Sequence, residues 1–231
     1  MKLEILEAIY DKEEFKKLIE MLQSGDKDKV AYAAVRLVAL GNSIVAPLIE
    51  LFGDKKCNSI SLDIAGILGN MVTAALKPLL AALKDKNSSV RAGAAAALGC
   101  PPITHVQALQ PLIDALNDKA SWVRVNAARS LATFKNKEAL EPLINVLSDT
   151  NYDVRCAAAF SLGEIPEERA VAELVRLLNS EDPEVQLIAI NSLGKTGDRQ
   201  VLEQLERLEI QSEFGWLREA ATEAIIQIKL K

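Results

Sequence analysis

Few side chains in this sequence are equipped for chemistry. Its one histidine, His105, lies in the segment CPPITHV, which begins at Cys100. A thiol and an imidazole so close in sequence can share a metal ion or generate a reactive thiolate. Two ligands without a third or fourth make a poor zinc site, and a Cys-His pair in a loop gives no evidence of a lowered thiol pKa. Loop packing is therefore the expected role of both, and no metal site is expected. Cys156 is the thiol best placed to meet a ligand, against the commoner role of a buried Cys as a small hydrophobe, and Cys57 lies in a polar turn with no chemistry around it. Glu219 and Glu223, one helical turn apart, read as a solvated helix face. General acid–base catalysis most often uses histidine, and any Ser-His-Asp arrangement would have to use His105. No glycine loop suited to phosphate is present. The sequence leans against independent catalysis, with no catalytic residue to name.

The bulk properties agree. The 231 residues carry a net charge of −5, which argues against a nucleic-acid partner, since such binding needs many Lys and Arg contacts to phosphate. Three cysteines without a C-x-x-C pair fit reduced thiols and a cytoplasmic location. The opening MKLEILEAIYDKEEF is acidic and amphipathic, unlike a secretory signal. No apolar run approaches the roughly 20 residues that span a bilayer, so no membrane insertion is expected. Apolar residues make up 49% but aromatics only 4%, so the core must be built from Ala, Leu, Val and Ile, which suits closely stacked helices.

Internal repetition supplies those helices. Four segments superimpose, starting at Ala75, Ala108, Ala139 and Ala170: ALKPLLAALKDKNSSVRAGAAAALG, ALQPLIDALNDKASWVRVNAARSLA, ALEPLINVLSDTNYDVRCAAAFSLG and AVAELVRLLNSEDPEVQLIAINSLG. A weaker copy starts at Ala46, and degenerate copies flank the set, as terminal capping repeats require. This predicts one repeat domain over 1–231: an N-terminal cap at about 1–41, an imperfect repeat at 42–74, four regular repeats at 75–198 and a C-terminal cap at 199–231. Each repeat holds two helical patterns. Helix A has apolar residues at i, i+3, i+4 and i+7, as in Leu109, Leu112, Ile113 and Leu116. Pro47, Pro78, Pro111 and Pro142 are expected in its first turn, where a missing N–H costs nothing. Helix B runs from a Val-Arg pair to a Leu-Gly stop, with Gly99, Gly163 and Gly194 expected at its left-handed C-terminal cap.

The pattern P-L-[IL]-x-x-L-x-D…V-R-x-x-A-A-x-[AS]-L-G resembles the short HEAT-like repeats of the E/F-type phycobilin lyases, over roughly Phe15 to Ile228. Related repeats occur in phycobilisome-degradation proteins, in bacterial and archaeal scaffolds and in deoxyhypusine hydroxylase. The resemblance implies an all-α fold, a right-handed α-solenoid of about seven HEAT-like helical-hairpin repeats. It also implies a structural ladder in which Arg91, Arg124 and Arg155 pair with turn aspartates of a neighbouring repeat, the aspartates in register being Asp85, Asp118 and Asp149. Gln186 replaces the arginine in the sixth repeat, where the ladder weakens. The hydroxylase holds iron on paired His-Glu dipeptides; here His105 is followed by Val106, so that activity is set aside.

Counting from the Val of each Val-Arg pair, positions 0, +4, +7 and +8 fall on the core side of helix B, and +2, +5 and +6 point away. In repeats four to six that outward stripe is unusually apolar. It predicts a partner groove lined by Trp122, Val125, Arg129, Cys156, Phe160, Leu187, Ile190 and Asn191. A second account stays open, in which small +5 residues such as Ala95, Ala128 and Ala159 pack neighbouring B helices together. The leading functional expectation is a non-catalytic scaffold, adaptor or assembly factor holding a protein client, without a cofactor. The alternative that the resemblance implies is a bilin lyase subunit, or a chaperone-like protein, with bilin as ligand and a second HEAT-like chain or a phycobiliprotein as partner.

Overall fold

The computed structural model describes residues 10–101, 106–165 and 167–231. Its helices gather into two compact halves, Met1–Ala115 and Leu116–Lys231, a division of which the repeat pattern carries no sign. The first half holds α1 (Lys12–Gln23), α2 (Lys27–Ala39), α3 (Val45–Leu51), α4 (Ser61–Asn70), α5 (Val72–Ala82), α6 (Ser88–Leu98) and α7 (Val106–Ala115). The second holds α8 (Ser121–Phe134), α9 (Leu140–Asn145), α10 (Tyr152–Leu162), α11 (Glu168–Leu177), α12 (Pro183–Thr196), α13 (Leu202–Gln211) and α14 (Gly215–Leu230). No strand occurs among the described residues, and no single described helix is long and apolar enough to cross a membrane. The chain is all-α, an α-solenoid of helical hairpins. Within each half the odd-numbered A helices form one layer and the even-numbered B helices the other, each B helix packing on the next: α2 on α4 and α4 on α6 in the first, then α8, α10, α12 and α14 in the second.

Four of the B helices, α2, α6, α10 and α12, start where a short polar side chain caps them. Asp26, Asn87, Asn151 and Asp182 each accept a hydrogen bond from a first-turn N–H, such as Ser89 N to Asn87 Oδ1 at 2.9 Å. Caps of this kind stabilise a helix by roughly 0.5–2 kcal/mol. The core side of the B helices is continuous: Val123, Ala127 and Leu131 in α8, and Val154, Ala158 and Leu162 in α10, are fully buried. At +7 a buried serine recurs, and the Ser161 hydroxyl sits 2.7 Å from both its own-turn Ala157 carbonyl and the Ala128 carbonyl of α8.

Two sequence expectations change here. Pro47 and Pro142 lie in the first turn of α3 and α9, each preceded by a separate 3-10 turn (Gly41–Ile44 and Lys137–Ala139). Pro78 and Pro111 do not. Helices α5 and α7 begin earlier than the repeat frame suggests, so both prolines sit inside the helix and remove one of its backbone bonds.

The glycines of the Leu-Gly stops are likewise not left-handed caps. Gly99 and Gly163 have right-handed backbones (φ −89° and −64°), and Gly194 lies within α12. What Gly163 and Gly194 allow is close approach of the next B helix. A Cβ on Gly163 would stand 2.8 Å from Ser192 Cβ, and one on Gly194 would stand 3.0 Å from Ala224 Cα.

Candidate functional site

The arginine ladder fixes how successive B helices start. In the second half the Arg124 guanidinium donates to Asp118 O (2.8 Å) in its own turn, and to both carboxylate oxygens of Asp149 in the following repeat (2.7 and 2.8 Å). Asp149 in turn accepts from Asn151 N at 2.8 Å. The Arg124 guanidinium, helped by that N–H, holds the Asp149 carboxyl below the ordinary carboxylate range. Arg155 repeats the pattern more loosely, donating to Asp149 O (3.0 Å) and standing 3.8 Å from Asp182, an aspartate two positions beyond the frame of the others. Gln186 donates only to Ser180 O in its own turn (2.6 Å). In the first half the buried Arg91 donates to Asp85 O (2.9 Å), and Asp85 accepts from Asn87 N. The own-turn carbonyl bonds were not visible in the repeat pattern. They give each arginine a second task, holding the turn that launches its helix.

On the outward face of α8, α10 and α12 lies an open cleft of about 490 Å³, lined by Arg129, Cys156, Ala157, Phe160, Ile188, Asn191, Ser192 and Lys195. Four residues expected from the sequence thus come together: Arg129, Cys156, Phe160 and Asn191. The Phe160 ring is 40% exposed, and Trp122 is 53% exposed at the start of α8, toward one end of the stripe. Val125 and Leu187 are half-buried and do not line this cleft. Ile190 is a correction: it is fully buried, as are Ala128 and, nearly, Ala159, because position +5 packs against the neighbouring B helix. In repeats four to six the packing account therefore holds for +5, while +2 is half-buried and +6 reaches the surface.

Lys195 was missed because helix B was expected to stop at the Leu-Gly pair. In fact α12 continues past Gly194 to Thr196, which carries Lys195 onto the cleft rim. Its ammonium stands 3.8 Å from the centre of the Phe160 ring and 3.5 Å from Glu164, which also meets Lys135 at 3.2 Å. Burial alone would raise the Glu164 carboxyl; the two ammonium groups outweigh it and hold Glu164 below its usual range. Burial pushes the Cys156 thiol up, only partly offset by a hydrogen bond with Tyr152. Burial also raises Cys100, whose thiol donates to Ala96 O. Neither is an activated thiolate at neutral pH. His105 lies outside the described residues.

A second apolar cleft, of about 560 Å³, lies between α2 and α4 in the first half, lined by Ala34, Val35, Val38, Leu62, Asp63, Gly66, Ile67 and Asn70. Val35 and Leu62 are 70% and 78% exposed, well beyond the 40% of Phe160. Counted from Val30 and Ile60 they fall at +5 and +2, but these degenerate repeats carry no Val-Arg pair at the place that sets the count in the regular ones. Trp216, 41% exposed on α14, packs a tilted ring against Phe214 (5.6 Å between centroids), with Glu219 and Glu223 exposed beyond it.

The family model of HEAT repeats matches residues 45–123, 76–147 and 140–226. No curated protein matches the sequence. Among solved structures, the complex of CpcE and CpcF of phycocyanin lyase from Nostoc sp. PCC7120 is similar at 26% identity, with a TM-score of 0.58, over 67% of this chain and 65% of that one. This chain therefore spans just under two thirds of that chain's length. An engineered protein is similar at 25% identity over 94% of this chain and 96% of its own, with a TM-score of 0.55. A designed armadillo repeat protein in complex with the peptide (KR)4 shares the fold at 21% identity, covering 92% and 98%, with a TM-score of 0.54.

Proposed function

The chain belongs to the HEAT-repeat family, and on that premise we propose that it is a non-catalytic scaffold or assembly factor that holds a protein client on the outward face of its B helices. One observation carries this reading: Trp122 and Phe160 are exposed on the face where Cys156 and Ile188 floor an open cleft. Exposed apolar patches on soluble proteins mark interaction sites, and aromatic and arginine side chains anchor protein interfaces. A cytoplasmic setting belongs to the same reading, since three free cysteines suit a reducing compartment.

A second reading, a bilin lyase subunit or a chaperone-like protein acting on phycobiliproteins, is favoured by the similarity to the CpcE and CpcF complex of phycocyanin lyase. Under it the cleft takes a bilin, and the partner is a second HEAT-like chain or a phycobiliprotein.

Affinity capture from a lysate of the source organism, comparing the intact chain with Phe160→Glu, separates these. The scaffold reading expects a discrete protein partner that is lost with Phe160→Glu while far-UV circular dichroism stays unchanged. Bilin absorbance or phycobiliprotein subunits in the eluate would bring the second reading forward. An identical set captured by both proteins would sink the assignment of this face.

A further inference from the structure

We propose that the α8–α10–α12 cleft selects its client by charge, receiving an acidic peptide segment in which a carboxylate flanks a bulky apolar side chain. This rests on the scaffold reading above and specifies the client's chemistry. The floor is apolar, from Cys156, Ala157 and Ile188, with the Phe160 ring standing exposed at its edge. The rim is cationic. Arg129 is exposed and forms no ion pair among the described residues, and Lys195 lies over the Phe160 ring. Glu164 is shared between Lys195 (3.5 Å) and Lys135 (3.2 Å), so a single carboxylate serves two ammonium groups.

The side chains that line the cleft include two cations, Arg129 and Lys195, and no carboxylate, on a chain whose net charge is −5. A local inversion of sign beside an exposed apolar floor is the arrangement that attracts an acidic segment and turns away a basic one. It also sets a direction. Glu219 and Glu223 are exposed on α14, the next B helix along, so the client's carboxylate belongs at the Arg129 side and its apolar side chain over Phe160 and Ile188. The ring and the aliphatic stem of Lys195 offer that side chain contact area at little further cost in ordering.

The test uses two dye-labelled synthetic peptides of equal length, one alternating Glu with Phe and Leu, the other with Lys in place of every Glu. Fluorescence anisotropy of the full chain is expected to show the Glu peptide binding at least about tenfold tighter than the Lys peptide at low ionic strength. The gap should narrow as salt screens the rim. Arg129→Glu should remove the preference, and Phe160→Glu should abolish binding of the Glu peptide, both with unchanged helicity. Equal or tighter binding of the Lys peptide, still lost with Phe160→Glu, overturns charge selection and leaves the scaffold reading standing. Failure of the Glu peptide to bind up to about 1 mM also overturns the proposal, and the capture comparison then judges the scaffold reading separately. Self-association of the intact chain in sedimentation equilibrium, dissolved by Arg129→Glu, would assign the cleft to a second copy and overturn it too.

Discussion

Replacing Gly163 with Ala sets two effects against each other. Its backbone (φ −64°, ψ −17°) is one that alanine adopts freely, so conformational preference alone favours Gly163→Ala by about 0.5–1 kcal/mol. The added methyl, however, would stand 2.8 Å from Ser192 Cβ and 3.0 Å from both Ser192 Cα and the Ser192 carbonyl oxygen. Two of those atoms are backbone of a buried turn of α12, so relief requires α10 and α12 to separate. Overpacking of this kind costs about 1–3 kcal/mol. The clash wins, and the expected net change is a destabilisation of about 1–2 kcal/mol, or about 2–8 °C in Tm for a chain of this length. Gly66→Ala is the control: in α4 its added Cβ has no atom within 4 Å, so it should stabilise by about 0.5–1 kcal/mol. Both tryptophans, Trp122 and Trp216, lie in the second half, so their emission during urea unfolding follows the half that contains Gly163. If Gly163→Ala leaves the tryptophan midpoint unchanged or raises it, close helix approach is not why that position is glycine.

Arg124→Met should cost about 2–3 kcal/mol at pH 7, because it leaves the largely buried Asp149 carboxylate without its guanidinium. In the intact chain the Asp149 carboxyl is held low, so its contribution is full above the unfolded value near 3.9 and fades as pH falls through the folded value; acid titration of stability below about pH 4 should be flatter in Arg124→Met. Ile190→Asp should abolish cooperative unfolding by burying a carboxylate in a fully enclosed site, whereas Phe160→Glu at a 40% exposed site should shift Tm by no more than about 2 °C; similar melts for the two would refute the burial assignment. Cys156 should react with iodoacetamide more slowly than a free thiol at pH 7.5 and accelerate as pH rises, with Cys57 inert until the chain unfolds; labelling of Cys156 at the free-thiol rate would contradict its raised pKa.

The helices and their pairing were legible because the apolar spacing that buries Val154, Ala158 and Leu162 recurs from Val90, Val123 and Val185, 31 or 33 residues apart. Helix ends were less so. A Leu-Gly pair reads as a stop, yet Gly194 is passed over, since Ala224 needs the room that a missing side chain leaves. That misreading hid Lys195 and with it the cationic rim of the cleft. The stripe itself was readable by angle, but angle cannot separate +5 from +6. The Cα positions of Ile190 and Asn191 differ by one step of the helix; one side chain is enclosed by the next B helix and the other is open to solvent. Only the spacing between helices, set by small residues such as Gly163 and Ala128, decides which.

The ladder also gives the second half a direction of failure. Arg124 reaches forward to Asp149 and Arg155 toward Asp182, but the Gln186 amide is occupied in its own turn and carries no charge onward. Helices α13 and α14 are tied to each other by Thr222 with Glu209 (2.7 Å) and by Lys229 with Glu206 (3.3 Å). No arginine from α12 reaches them, but α14 packs closely on α12 where Gly194 meets Ala224, and the Lys231 ammonium donates to the Lys195 carbonyl. The loose rung, Arg155 at 3.8 Å from Asp182, lies between α10 and α12; watched by amide exchange, α11–α14 are expected to lift there as one block, with the Arg124–Asp149 rung the latch at which opening stalls.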